Sequence, residues 1–215
     1  MLELHGPAGF QTVTNNNWRD TQEAEIIATG IPPANDLESA IVADLGAGAY
    51  TAILEGNGDT TGVGLVEIYD LTAGTAARLG NISTRAVVNT GNDVVIAGFI
   101  LGGGTNNDLV ILRGLGPTLP GGLGPLLADP TLELRDSSGT QVAFNDNWMD
   151  DPTQMPIIIG AGLGPSSPLE SCIAVSLAPG AYTALLAAHS GGTGLGLVEV
   201  YDNVSGPTPS PTPVP

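Results

Sequence analysis

Side chains that could act as a general base are few in this sequence, and they lack partners. The histidines are His5 and His189 alone, and imidazole is the side chain whose ordinary pKa lies near neutrality. Neither histidine has a serine-and-acid pattern beside it, and no G-x-S-x-G turn occurs. The glycine-rich runs lack a following lysine that could hold a phosphate, because the chain contains none. We therefore expect no catalytic residue and no cofactor.

Two pairs of glutamates are the remaining candidates for acid–base chemistry. Glu38 and Glu170 both lie in the run LES, and Glu67 and Glu199 both lie in the run LVE. Paired carboxylates can hydrolyse glycosides, but only 4% of the residues are aromatic, which leaves few rings on which a sugar could stack. A glutamate two residues from a tyrosine more simply accepts a hydrogen bond from a hydroxyl or a backbone amide. We interpret these glutamates as structural and the protein as non-enzymatic.

One asparagine- and aspartate-rich loop has the oxygen ligands that calcium prefers. The candidate ligands are Asn145, Asp146, Asn147 and Asp150. The matching run 15–17 reads Asn-Asn-Asn, so a calcium site there would have fewer carboxylates. The favoured interpretation is a turn in which these side chains bond nearby backbone amides, with calcium as the alternative.

Cys172 is the single cysteine, so the chain forms no internal disulfide. The matching position earlier in the chain is Ala40. A small residue at both places predicts a packed, unreactive thiol.

The composition favours short strands and excludes several kinds of partner. The chain has 22 acidic residues against five basic ones, all arginine, for a net charge of −17. Such a charge repels phosphate backbones and anionic lipids, so we expect no nucleic-acid binding and no membrane insertion. With 31 glycines and only 13% charged residues, tight turns between short strands are favoured over long surface helices.

A long internal repeat organises the chain. The matching segments are 2–18 with 132–148, 37–41 with 169–173, 48–52 with 180–184, and 61–70 (TGVGLVEIYD) with 193–202 (TGLGLVEVYD). The offset is 130 at Trp18 and 132 at Tyr50. We divide the sequence into copy 1 (residues 1–74), a connector that occurs once (75–130), copy 2 (131–206) and a tail (207–215).

The local pattern predicts an all-β protein: two homologous antiparallel β-sandwich modules, a β-rich connector and a proline-rich tail. Residues 65–69 and 197–201 are predicted strands, with Val66 and Ile68 on one face and Leu65, Glu67 and Tyr69 on the other. The connector runs DVVIAGFIL and LVILRGL are apolar on both faces and predict central, covered strands. Short helical turns are expected only near PANDLESA and PSSPLESC.

The tail predicts an exposed, stiff segment. PTPSPTPVP should adopt polyproline II, and its alternation of hydroxyl residues with proline is typical of glycosylated stalks. The glycosylation candidates are Thr208, Ser210 and Thr212, with Asn81 and Asn203 in N-x-S triplets. The opening MLELHGPAGF lacks the regions of a secretion signal, and the composition favours a leader that has been removed.

Several motifs resemble a repeat of large secreted proteins from environmental bacteria. The matching runs include NDNW, LESCI, PGAYTA, GLGLVEVYD, RLGNISTRAVV, VIAGFILGG and LADPTLELR. The module is also distantly similar to β-sandwich domains appended to secreted bacterial peptidases. The resemblance implies an extracellular array of β-sandwiches that serves as a stalk, surface layer or fibre.

Together these features predict a secreted structural protein that assembles with itself, head to tail, into an extracellular filament or surface layer. A truncated module leaves a sheet edge unpaired, and an open edge can pair with another chain. The assembly candidates are Leu2, Leu4, Phe10 and Val13, in a segment that could be donated as a strand. The alternative is a carbohydrate- or cell-surface-binding module without catalysis, which would use glycans as partners.

Overall fold

The computed structural model describes residues 1–71, 79–102, 105–122 and 124–202. These residues belong to two compact units, one up to the end of copy 1 and one that contains the connector strands together with copy 2. The all-β, antiparallel class predicted from the sequence is confirmed. The part of the chain described here contains no helix long and apolar enough to cross a membrane.

The first unit is built around one three-stranded antiparallel sheet. Its strands are β1 (Leu2–His5), β2 (Val13–Asn15) and β3 (Thr51–Leu54), in the order β2-β1-β3. A short helix, α1 (Glu23–Ala28), follows β2 and buries Ile26. β1 is the central strand, with Leu4 opposite Val13 on one side and opposite Ala52 on the other.

The second unit is a sandwich of two four-stranded antiparallel sheets. Its elements are β4 (Asn81–Val88), β5 (Val95–Leu101), β6 (Asp108–Leu115), β7 (Pro130–Asp136), β8 (Gln141–Asn145), α2 (Met155–Gly160), β9 (Ser171–Leu177), β10 (Gly180–Ala188), a 3-10 turn (His189–Gly191) and β11 (Gly194–Asp202). One sheet has the order β5-β10-β7-β8 and the other β4-β11-β6-β9. The unit therefore spans the sequence boundary at residue 130, because connector strands lie in both sheets.

Alternating residues of both sheets form the main core. Val198 and Val200 of β11 pack in one cluster with Leu132 of β7 and Leu186 of β10. The opposite face of the second sheet packs under α2, where Tyr201, Ile111 and Trp148 belong to a second cluster. The alternation predicted for LVEVY is thus confirmed in copy 2, and both faces of β6 are covered, as a central strand requires.

The same hydrogen bond from a backbone amide to an asparagine side chain occurs at the end of β2 in copy 1 and of β8 in copy 2, and we call it the amide clip. Asn15 Oδ1 accepts a hydrogen bond from the Ala40 amide at 3.1 Å, and Asn145 Oδ1 accepts one from the Cys172 amide at 2.9 Å. The backbone amides of Trp18 and Trp148 donate to the carbonyls of Glu38 and Glu170. The repeated sequence therefore builds the same local structure twice.

Three local predictions were wrong. The run DVVIAGFIL forms β5, an edge strand with Ile96 and Ile100 exposed. The helices begin at Glu23 and Met155, outside the two runs PANDLESA and PSSPLESC. Those runs form turns, in which the amides of Glu38 and Glu170 donate to the carbonyls of Asn35 and Ser167. Residues 65–69 of copy 1 form no strand, although the same sequence in copy 2 is β11.

Candidate functional site

Strands of copy 2 are paired with strands of the connector. In the first sheet, β10, β7 and β8 of copy 2 correspond to β3, β1 and β2 of copy 1, and only β5 of the connector is additional. In the second sheet, β9 and β11 are both bonded to β6 and never to each other. Because β6 joins them, the copy 2 strands form this sheet only in the presence of the connector.

Copy 1 leaves exposed the side chains that copy 2 buries. Ile68 is 54% exposed while its counterpart Val200 is 7% exposed, and Tyr69 is 52% exposed while Tyr201 is fully buried. Leu65 is 78% exposed. Residues 61–70 and the segment 39–45, which corresponds to β9, lie outside strands. We call these two segments the open face of copy 1.

The connector supplies a charge to copy 2. Arg113 Nε of β6 lies 3.2 Å from Glu199 Oε2 of β11, and both side chains are largely buried. Burial raises the pKa of the Glu199 carboxyl, and the Arg113 charge opposes that rise. In copy 1 the equivalent Glu67 is exposed and accepts a hydrogen bond from the Tyr69 hydroxyl at 3.2 Å, a bond that raises the pKa of Tyr69.

The turn after β6 supplies hydrogen-bond donors as well. Glu170 is fully buried, and its Oε1 accepts bonds from the amides of Gly116 and Thr118 and from the Thr118 hydroxyl, at 3.2, 3.0 and 2.6 Å. Its counterpart Glu38 is exposed and accepts a bond from the Asn35 amide at 3.2 Å. In copy 2, Glu170 is therefore a hydrogen-bond acceptor and Glu199 is paired with Arg113.

The predicted calcium ligands are used in turn bonds. The side-chain amide of Asn145 donates to the Asn147 carbonyl, and that of Asn147 donates to Asp146 and Asp150. Asp146 also lies close to Asp129 and His189, which are distant from it in the sequence.

Asp129, Asp146 and His189 each offer one ligand atom, and these atoms lie within 4.8 Å of one another. They meet because β8, β7 and β10 are neighbours, so that the end of β8, the start of β7 and the end of β10 lie at one margin of the sheet. His189 Nδ1 lies 3.2 Å from Asp146 Oδ2. Among the described residues, these three side chains form a group that could hold a cation. Copy 1 has Asn16 in place of Asp146. The group of Asp129, Asp146 and His189 could have been predicted only from the order of β10, β7 and β8 in the sheet.

The assembly candidates lie in the sheet of copy 1. Leu2 and Leu4 are in β1 and Val13 is in β2, all half-buried. Phe10 packs edge-on against Tyr50 with ring centres 5.4 Å apart. β1 is already hydrogen-bonded on both sides, so donation of this strand would require its release from β2 and β3. Their role in assembly stays a prediction.

Of the remaining candidate residues, Asn81 and His5 make local contacts, and the others lie outside the described residues. Asn81 begins β4, and its side-chain amide donates to the Val200 carbonyl at 3.3 Å. His5 contacts Glu3 at 3.0 Å. Asn203, Thr208, Ser210 and Thr212 lie outside the described residues.

The single thiol and both tryptophans are buried. Cys172 is inaccessible, and burial raises the pKa of its thiol to about 12. Trp18 and Trp148 are 2% and 6% exposed, so neither ring offers a face for stacking on a sugar. The groove beside Leu54 is lined by that residue, Glu55, Gly56 and residues 60–64, none of them aromatic.

No protein family and no curated protein sequence matches the chain at a significant level. Among solved structures, the chain is similar to the pre-peptidase C-terminal domain of a collagenase from Bacillus anthracis, with 14% identity, a TM-score of 0.35, and coverage of 56% of this chain and 88% of that domain. It is also similar to the catalytic domain of a GH87 alpha-1,3-glucanase, with 11% identity and a TM-score of 0.28. That likeness covers 63% of this chain and 28% of the glucanase. At these scores the likenesses carry no argument about function.

Proposed function

We propose that this chain is a non-catalytic structural protein that assembles with itself outside the cell, into a filament or a surface layer, through the open face of copy 1. One observation carries the proposal: the sequence GLVEIYD is exposed in copy 1, whereas its near-identical repeat is a central strand in copy 2. A sequence that forms a buried strand in copy 2 is therefore exposed to solvent in copy 1.

The free energy of association comes from this exposed apolar surface. Val63, Leu65, Val66 and Ile68 are all at least 42% exposed, and full burial of one aliphatic side chain is worth about 1.5–3 kcal/mol. Large apolar side chains exposed together are typical of interaction surfaces. The net charge of −17 repels other copies, so we expect association to strengthen as ionic strength rises.

The test measures mass against concentration. Sedimentation velocity at increasing protein concentration should show growing species, and negative-stain microscopy of those fractions should show periodic assemblies. Leu65→Lys should weaken association strongly, while Met149→Lys should leave it unchanged, because Met149 is also exposed but lies outside the open face. A wild-type chain that stays monomeric at high concentration overturns self-assembly, as does an equal effect of the two variants.

The alternative, a carbohydrate-binding module, gains no support from the tryptophans, because both are buried.

A further inference from the structure

The internal repeat identifies what the open face of copy 1 lacks. In copy 2, the equivalent sequence forms β11 and is paired with β6. The partner segment is therefore β6 with the turn that follows it, residues 108–119. The register between β11 and β6 pairs Glu199 with Arg113, Val200 with Leu112 and Tyr201 with Ile111.

The equivalent positions in copy 1 carry the same chemistry. Glu67, Ile68 and Tyr69 stand where Glu199, Val200 and Tyr201 stand in copy 2. A strand added beside them in the same register would place an arginine opposite Glu67 and aliphatic residues opposite Ile68 and Tyr69. Strand addition of this kind takes its affinity from main-chain hydrogen bonds and its specificity from alternate side chains.

The segment 39–45 provides the other side of the acceptor. In copy 2, β6 also pairs with β9, with Arg113 opposite Cys172 and Gly114 opposite Ser171. Copy 1 keeps the amide clip that orients this segment, from the Ala40 amide to Asn15 Oδ1. Glu38 is exposed at the place where Glu170 receives the turn of residues 116–118.

We infer that copy 1 is an acceptor for a polypeptide segment with the chemistry of residues 108–119. Such a segment is an apolar strand with one arginine, followed by a glycine- and threonine-containing turn whose amides reach Glu38. The inference goes beyond the proposed function, since a segment bound here needs no self-assembly and would compete with the association of copies through the same face.

The donor is a segment that is not already packed in a module. Residues 1–215 contain two acceptors, copies 1 and 2, and a single connector, whose strands are paired with copy 2. A second folded copy of this chain could offer its connector only by opening its own copy 2, so exchange between copies completes no additional sheet. A free connector-type segment of another polypeptide completes the sheet at no such loss.

The experiment uses the full chain and a labelled synthetic peptide of residues 108–119. Fluorescence anisotropy should show saturable binding with one peptide per chain. A peptide carrying Arg113→Leu should bind at least about ten-fold more weakly, because it leaves Glu67 covered without its partner charge. Hydrogen exchange should slow at residues 61–70 and 39–45 and stay unchanged at 194–202.

Variants of the chain identify the acceptor. With Glu67→Gln the difference between the two peptides should largely vanish, whereas with Glu133→Gln, a matched change in copy 2, it should persist. Absence of saturable binding overturns the inference, and so does an arginine preference that Glu67→Gln leaves intact. Because the peptide is added to dilute monomer, failure to bind is distinct from failure to self-assemble.

Discussion

Arg113 and Glu199 face each other across neighbouring strands, with Nε and Oε2 3.2 Å apart and the two residues in direct register. One belongs to the connector and the other to copy 2. The ion pair therefore joins two parts of the sequence that the repeat pattern treats as separate.

Arg113→Leu should destabilise the second unit. The change leaves the Glu199 carboxylate, 5% exposed, without its partner charge, and loss of one member of a buried pair costs about 3–5 kcal/mol. Urea denaturation followed by tyrosine and tryptophan fluorescence measures the loss. The double variant Arg113→Leu/Glu199→Gln should recover much of it, and no recovery would show that the pair is not the cause.

The loss in Arg113→Leu should depend on pH. Burial already raises the pKa of Glu199 above its ordinary value of 4.5, and removal of the arginine should raise that pKa further. A carboxyl whose folded pKa lies above its unfolded value stabilises the protein at low pH and loses this contribution as pH rises through the folded pKa. The destabilisation should therefore shrink as pH falls from neutral toward 5, and the double variant should show no such trend.

Glu170→Gln and Glu38→Gln form a matched pair. Glu170 accepts three hydrogen bonds from the connector turn in a buried site, and bonds to a charged group contribute about 1.5–3 kcal/mol each. We expect a loss of at least about 2 kcal/mol for Glu170→Gln and within about 0.5 kcal/mol for the exposed Glu38. Thermal unfolding by calorimetry compares them, and equal losses would contradict the difference between the copies.

The Cys172 thiol should not react in the folded protein. It is inaccessible and its pKa is raised to about 12, so little thiolate exists at pH 8. Modification by a disulfide reagent should appear only on addition of denaturant. Rapid reaction of the native chain would show that the strand β9 opens readily.

The tryptophans should not report on sugars. Both rings are buried, so soluble oligosaccharides should leave the fluorescence spectrum unchanged, and acrylamide should quench it weakly. A saturable spectral shift on addition of an oligosaccharide would favour the carbohydrate-binding alternative.

Local features followed from the sequence because they depend on neighbouring residues. The Asx turn at 145–147 rests on turn chemistry, and the two-faced alternation of LVEVY rests on the two-residue period of a strand. The packed Cys172 followed from a small residue at the same position of both copies. The edge position of β5 could not be predicted from the sequence. An apolar run does not reveal whether strands pair with it on one side or on both, or whether one of its faces is exposed. The meeting of Asp129, Asp146 and His189 depends on the order of β10, β7 and β8, which is a long-range property.

The sequence by itself determined that one module occurs twice and that it is built from antiparallel strands. Only the tertiary structure decided that the repeated sequence is buried in copy 2 and exposed in copy 1. A strand exists through hydrogen bonds to its neighbours, and GLVEVYD has β4 and β6 on its two sides, whereas GLVEIYD in copy 1 lies outside any strand. Equivalent side chains are therefore buried in one copy and exposed in the other, because burial depends on the arrangement of strands as well as on the residues.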